Sequence, residues 1–219
     1  MADTPAFIRL RITTPRVAIG ERMKKGTFRP CVETLPTSTL MGCFREHFGF
    51  EQTVAIGFFR AGSYRKEIFS YAPLDTSLGL AKLPLTLECL IPAAGQREIE
   101  GEVYVAATDE AKKVFAPDKG SWLVGLGALR SRGFGYCTLD YRNEISPSRR
   151  TGYLRGRLRE TDGEAFGIDV HRDLIRPCYS FLFRPDPLHV GGQYERALIE
   201  GTILTGPDFL IGEDYSHDR

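Results

Sequence analysis

Residues 125–136 read Gly125-Leu-Gly-Ala-Leu-Arg-Ser-Arg-Gly-Phe-Gly-Tyr136. Four glycines fall within eleven residues, two arginines sit between them, and an alternating strand pattern follows at Tyr136–Tyr141. Glycine lets the backbone take positive φ and lets a phosphate approach the amides closely. Arg130 and Arg132 would flank such a path with charge, Ser131 would add a hydroxyl, and Phe134 could stack on a base. Gly133 and Gly135 would keep the backbone open beside them. Two glycine motifs are excluded. The Gly-Lys-Ser/Thr ending of a P-loop is missing, and a dinucleotide fingerprint should open a helix, whereas these glycines precede a strand. A plain tight turn with its arginines in solvent is the bland alternative.

Charge concentrates around this loop. The 219 residues carry 29 Lys+Arg and 28 Asp+Glu, a net charge of +1. Leu123–Arg159 nevertheless holds eight arginines, no lysine, and only Asp140 and Glu144 in opposition, so the window carries +6 and the remainder −5. Arginine forks match phosphate oxygens and stack on bases, which points the window toward RNA or phosphate rather than toward a generic solvated face. Hydrophobic residues make up 42% and charged residues 26%, ordinary for a globular chain, which rules out wholesale disorder. No stretch approaches the roughly 18 apolar residues that span a bilayer. Met1–Phe7 lacks a basic region followed by an apolar run, so no secretory signal is expected. The five cysteines are never closer than 12 residues apart, which argues against paired-cysteine metal or redox motifs and fits a reducing cytoplasm.

Further out, Phe7–Ile12 alternates as a strand with one solvated face. Pro15–Pro30 reads as a basic loop in which Lys24, Lys25 and Arg29 are RNA-contact candidates, with ordinary solvated charge as the equal alternative. At Leu35-Pro36-Thr37-Ser38 a helix should start, capped by a hydroxyl, with Leu40, Met41, Phe44 and Phe48 on one face and Gly49 as its stop. Val54–Phe59, Leu83–Ile91 and Ile99–Ala106 read as strands, and Ser63–Ala81 as irregular. Either Asp109–Phe115 or Gly120–Leu129 supplies a second helix. Beyond Pro147 the cues are strands and turns, with strands expected at Tyr153–Arg159, Tyr179–Phe183 and Ala197–Leu204. The order strand, helix, strand, strand, helix, strand is that of a ferredoxin-like split βαβ unit, an α+β fold with an antiparallel sheet.

Two segments resemble a known family. Gly125–Gly135 is similar to the glycine-rich loop of the RAMP superfamily, the RNA-binding proteins of CRISPR–Cas systems. Leu35-Pro-Thr-Ser-Thr-Leu-Met-Gly-Cys-Phe-Arg45 is similar to the segment that opens that family's first helix. The resemblance covers about the first 140 residues. It implies a RAMP domain over 1–146 with a β-rich C-terminal extension over 147–219 packed on it. Within the family, one subunit polymerises along the guide, one caps its 5′ handle, and one endoribonuclease processes the repeat. In the processing enzymes the glycine-rich loop lies near the C-terminus, whereas 84 residues follow Gly135 here. A single unit with a β-rich tail most resembles the handle-capping Cas-five group, in its compact type IV version rather than type III. The implied partners are the crRNA 5′ handle, a backbone RAMP subunit and the large subunit, with target nucleic acid contacted indirectly, and no membrane. No cofactor or metal is implied. Type III backbone subunits cut target RNA through an aspartate after the first strand, and no Asp lies between Thr13 and Leu35.

Metal-independent RNA cleavage needs a general base and an acid, often histidine. His47, near the end of the first helix, is the one catalytic candidate, set against a structural role at the helix end. Asp169-Val-His171-Arg-Asp173 reads as a surface salt-bridge cluster rather than a metal site. His189 and His217 lie in loop and tail contexts. Phe28 and Trp122 could stack on bases, but lone aromatics more often belong to a core.

Overall fold

Strand β1 (Phe7–Thr14) turns Ile8, Leu10 and Ile12 to one side and Phe7, Arg9 and Arg11 to the other, and the elements around it follow from that division. The computed structural model describes residues 5–20, 28–72, 74–75, 77, 79–81, 84–185 and 192–212. After β1 come β2 (Phe28–Arg29), β3 (Thr34–Leu35), α1 (Thr37–Phe48), β4 (Ala55–Phe59), β5 (Tyr64–Tyr71), β6 (Leu74–Asp75), β7 (Leu80–Ala81), β8 (Leu85–Pro92), β9 (Ile99–Ala106), α2 (Asp109–Val114), β10 (Ser121–Gly125) and β11 (Tyr136–Ile145). The main sheet runs β10-β11-β1-β9-β4-β3, with every pairing antiparallel. Its centre, β11-β1-β9-β4, is the interleaved order of a split βαβ unit.

Against one face, α1 packs Leu40 and Phe44 onto Ile8, Leu10, Ile12 and Leu139. Phe44 is fully buried and meets Phe115 at 5.5 Å, and Trp122 meets Phe115 edge-on at 5.1 Å, so this tryptophan is part of the core. Each such large side chain contributes about 1.5–3 kcal/mol of burial. Gly49 closes α1, donating its N–H to the Arg45 carbonyl at 3.1 Å. The expected hydroxyl cap is not made. Pro36 occupies the N-cap position, and the buried Thr37 Oγ1 has no hydrogen-bond partner. Of the two candidate second helices, Asp109–Val114 is helical, with Thr108 Oγ1 accepting from the Ala111 N–H. Gly120–Leu129 supplies β10 and then a loop.

The second face of the sheet is covered by the C-terminal region. Here β12 (Arg149–Leu154), β13 (Leu158–Arg159), β14 (Leu174–Arg176), β15 (Tyr179–Pro185), β16 (Gly192–Leu198), β17 (Ile203–Pro207) and β18 (Ile211–Gly212) form the sheets β14-β17-β12-β18 and β13-β16-β15. Phe7, Ile56, Phe58 and Tyr104 pack there against Leu154, Phe166 and Phe209. The Tyr104 and Phe209 rings stack at 4.1 Å. With both faces covered, β4 is buried throughout, which accounts for the unbroken apolar run Ala55–Phe59. A bulge divides β11: Leu10 pairs with Tyr141 but Arg9 with Asn143, which leaves Arg142 as an extra residue. Leu139 and Tyr141 therefore join the helix-side core while Ile145 packs on the second one.

Several boundaries differ from the sequence pattern. Ser63–Ala81, with Pro73, Gly79 and few periodic cues, is expected to be irregular, but it supplies β5, most of whose side chains are exposed. That strand pairs with β8, outside the main sheet. Tyr153–Arg159 breaks between β12 and β13, and Ala197–Leu204 breaks at a turn where Gly201 has φ 93°. Four cysteines are buried and all five are free thiols. Burial pushes the Cys31 thiol up to about 11, and those of Cys43 and Cys137 to about 12.

One ion pair is deeply buried. The guanidinium of Arg159 meets Asp162 at 2.7 Å and Glu195 at 2.8 Å, linking β13 to β16 and to the short turn at 160–162. Removing one partner of such a pair strands the other charge in the interior. Arg159→Ala should lower stability by about 3–5 kcal/mol in thermal or urea unfolding. Arg172→Ala, whose side chain is 87% exposed beside Asp169, should leave the midpoint essentially unchanged.

Candidate nucleic-acid interface

The loop between β10 and β11 is tied down before it can present anything. The Leu126 N–H donates to the Gly135 carbonyl at 2.8 Å and closes its base. Gly135 has φ +71°, and a Cβ there would lie 1.8 Å from the Leu126 carbonyl oxygen. At Gly127, with φ +72°, a Cβ would lie 2.3 Å from the Ala18 carbonyl oxygen. Both positions demand glycine. The chain after β1 laces onto the loop: Gly135 N–H donates to Arg16 O and Ala128 N–H to Ala18 O, each at 2.8 Å. The Arg16 guanidinium donates to Gly133 O at 3.0 Å.

On this base stands a single helical turn, Arg130–Arg132, entered through Leu129 at φ 58°. Leu129 is the one non-glycine with positive φ among the described residues, a conformation costing about 1–2 kcal/mol. The amides of Leu126, Ala128, Arg132, Gly133, Phe134 and Gly135 bond within the protein, so the loop is not an open row of donors. Those of Arg130 and Ser131 have no partner among the described residues, and the Ser131 side chain is exposed beside them.

The predicted side chains separate into different roles. Arg130 Nη1 bonds both carboxylate oxygens of Glu46 at 2.8 Å, so its charge is already balanced. The exposed Arg132 lies over the Tyr71 ring at 4.9 Å, where its outer edge stays free. Phe134 contradicts the sequence expectation. It is 2% exposed, packs 5.1 Å from Phe69 with the Arg16 guanidinium over its ring, and cannot stack on a base. The turn that exposes Arg130–Arg132 folds Phe134 inward onto Ala18, Leu87 and Cys89. Gly133 stacks its open backbone side against Arg16.

Arg29 and the loop meet around a cavity of about 340 Å³ that also touches Thr39 of α1. The structure thus brings together the two motifs and one residue of the basic loop. Lys24 and Lys25 lie outside the described residues, as do His189 and His217. Phe28 is 42% exposed in β2. His47 Nε2 accepts the Gly125 N–H at 2.9 Å, which fixes the end of α1 to the start of the loop. In that arrangement the nitrogen positions backbone. His171 sits in a local turn whose N–H donates to Asp169 Oδ1. Among the described residues, no three His, Cys, Asp or Glu side chains converge as a metal site, and no helix is long and apolar enough to cross a membrane. Three contributors escaped the sequence reading: Arg16, Glu46 and Tyr71. Glu46 is 84 residues from Arg130, and no local pattern signals a pair so remote.

No family model matches the chain, and no curated protein matches it by sequence. Solved structures do match. A chain of the cryo-EM structure of the type III-B Cmr-beta bound to cognate target RNA and AMPPnP superposes with a TM-score of 0.56 at 9% identity, over 90% of this chain and 86% of that one. The fold is one found in a chain of the type III-B Cmr-beta. A second Cmr-beta structure, bound to cognate target RNA, gives 0.54 at 9% identity with the same coverage. A CRISPR RNA-guided surveillance complex gives 0.48 at 15% identity over 96% of this chain and 95% of that one. The α+β, mainly antiparallel ferredoxin-like architecture expected from the sequence is the one observed.

Two substitutions probe the loop. Gly135→Ala should cost about 2 kcal/mol or more, read as a lowered unfolding midpoint, because both φ and the Leu126 carbonyl oppose it. Glu46→Gln should strengthen binding of single-stranded RNA by about threefold or more at low salt, measured by fluorescence anisotropy, because it frees Arg130 for phosphate.

Proposed function

We propose that this chain is a non-catalytic crRNA-binding subunit of a CRISPR effector ribonucleoprotein, capping the 5′ handle of the guide and docking the backbone subunit. One observation carries the reading: a glycine-rich loop exposes Arg132, Ser131 and the Arg130 and Ser131 amides, and its residues 127–129 share a cavity with Arg29, on a fold shared with a chain of Cmr-beta. Arginine forks and amides fix phosphates, and splayed single-stranded bases are then read at their edges. Residues 1–146 would carry this contact, and the extension over 147–219 would stay packed on the sheet. The reading extends to the type IV form of the handle-capping group, working in the cytoplasm beside a backbone subunit and a large subunit.

A processing nuclease is the alternative reading, and it would have to use His47. The hydrogen bond that Nε2 accepts from Gly125 favours a positioning role for that ring. The absence of Asp between Thr13 and Leu35 counts against target cleavage of the backbone-subunit type. The test is purified protein incubated with end-labelled repeat RNA in EDTA and run on native and denaturing gels. A shifted, intact RNA is expected. Discrete cleavage abolished by His47→Ala, or no shift at all, would overturn the proposal. Arg130→Ala with Arg132→Ala should weaken binding and flatten the salt dependence by roughly 1.4 if both arginines touch phosphate.

A further inference from the structure

The loop accounts for two of the eight arginines between Leu123 and Arg159. Three others are structural: Arg149 pairs with Asp173 at 2.7 Å, Arg157 with Glu200 at 3.1 Å, and Arg159 is buried with Asp162. Arg142 and Arg150 have no carboxylate partner among the described residues, Arg155 makes no ion pair but its charge reaches Glu102, and all three are exposed. They do not scatter. Arg142 and Arg155 line a cavity of about 710 Å³ on the second face of the main sheet, where that face runs beyond the cover of the C-terminal region. Arg150 and Arg155, with the unpaired Arg176, line an adjoining cavity of about 1190 Å³. The two share a wall made of Phe58, Phe59 and Arg155.

Several features mark this as a built cleft. The β11 bulge inserts Arg142 as the extra residue, and its neighbour Asn143 turns onto the same wall, a device that re-aims side chains beside functional sites. Each carboxylate in the walls already has an internal partner. Glu100 holds both Arg11 and Arg60 at 2.7 Å, Glu102 binds Arg9 and accepts from Tyr104, and the others are bonded likewise. Burial opposes ionisation of Glu102, but the hydrogen bonds from Arg9 and Tyr104 outweigh it and hold that carboxyl below its ordinary value. Across the two cavities eight arginines and one lysine face six carboxylates, of which Asp208 is bonded only to the Ser148 hydroxyl, so the balance is cationic. Phe58 and Phe59 are only 4% and 5% exposed, and the Arg155 guanidinium covers Phe58 at 4.4 Å. Neither phenylalanine offers an apolar anchor to a peptide or a stacking face to a base, and the half-buried Tyr64 and Tyr153 are the other rings in the walls. Forked cations in a concave track fit phosphodiesters.

We propose that this cleft holds a second stretch of single-stranded RNA by its phosphates, with little regard to base sequence. The proposal rests on the RNA-binding reading above and extends it to a site away from the glycine-rich loop. The test uses the full chain and a short 5′-labelled oligouridylate. Arg142→Ala with Arg155→Ala, and separately Arg150→Ala with Arg176→Ala, should each weaken binding by about tenfold near 0.1 M salt and flatten the salt dependence, and the loop variants should add to them. On the wild-type protein, phenylglyoxal modification mapped by mass spectrometry should show RNA protecting Arg142 and Arg155 but not the remote Arg172. Normal binding by both cleft variants with no protection, while the loop variants lose affinity, would overturn the cleft and leave the proposed function standing. Failure of the wild type to bind any RNA would overturn both. Protection of the cleft by polyglutamate but not by RNA would assign it to an acidic protein and overturn it as well.

Discussion

The structure depends on the division of side chains along β1. Ile8, Leu10 and Ile12 commit one face of the sheet to α1, so both motif segments converge where that helix meets β10. On the other face, Phe7 is apolar and Arg9 and Arg11 are charged. The C-terminal region can bury only the apolar end, through Phe166 and Phe209, because covering two guanidiniums would cost more than the contact returns. The charged end stays open as a cleft. One strand thus sets where the core closes and where the solvent is admitted.

Arginine plays three physical roles in this chain. Arg159 is an interior cross-link, satisfied on both sides by carboxylates. Arg16 and Arg132 sit over the rings of Phe134 and Tyr71, where the weakly hydrated guanidinium loses little on contact. Arg142, Arg150 and Arg176 have no charge partner among the described residues. A high local count of one residue type therefore says little about a surface until the carboxylates are placed, and here they come from remote parts of the chain: Glu46, Asp173, Glu195 and Glu200.

The centre of the sheet was legible because β1 and β9 alternate, β4 is a short apolar run and the first helix has an apolar stripe, all of them local signals, whereas β10 lay in a candidate helix. β5 was not legible, since Tyr64–Tyr71 is mostly exposed and takes its form from pairing with β8. The glycine-rich loop was legible as a turn demanding positive φ at Gly127, Gly133 and Gly135. Its side-chain directions were not. An aromatic between two glycines reads as exposed, yet the turn through Leu129 rotates Phe134 into the core. His47 was readable as structural, but its partner, the Gly125 amide, lies 78 residues away.

The bulge in β11 has an evolutionary consequence. Before it, Leu139 and Tyr141 face the helices; after it, Ile145 faces the opposite layer. Counted from Tyr141, Ile145 would share its face in an unbroken strand, and the one extra residue moves it to the other. Loss of the single codon at Arg142 would restore unbroken pairing and leave Tyr141 and Ile145 on the faces they now occupy. Neither core therefore needs the extra residue, and what it serves is the cavity that Arg142 and Asn143 line. In any lineage descended from this sequence the bulge should be kept only where that cleft is still used.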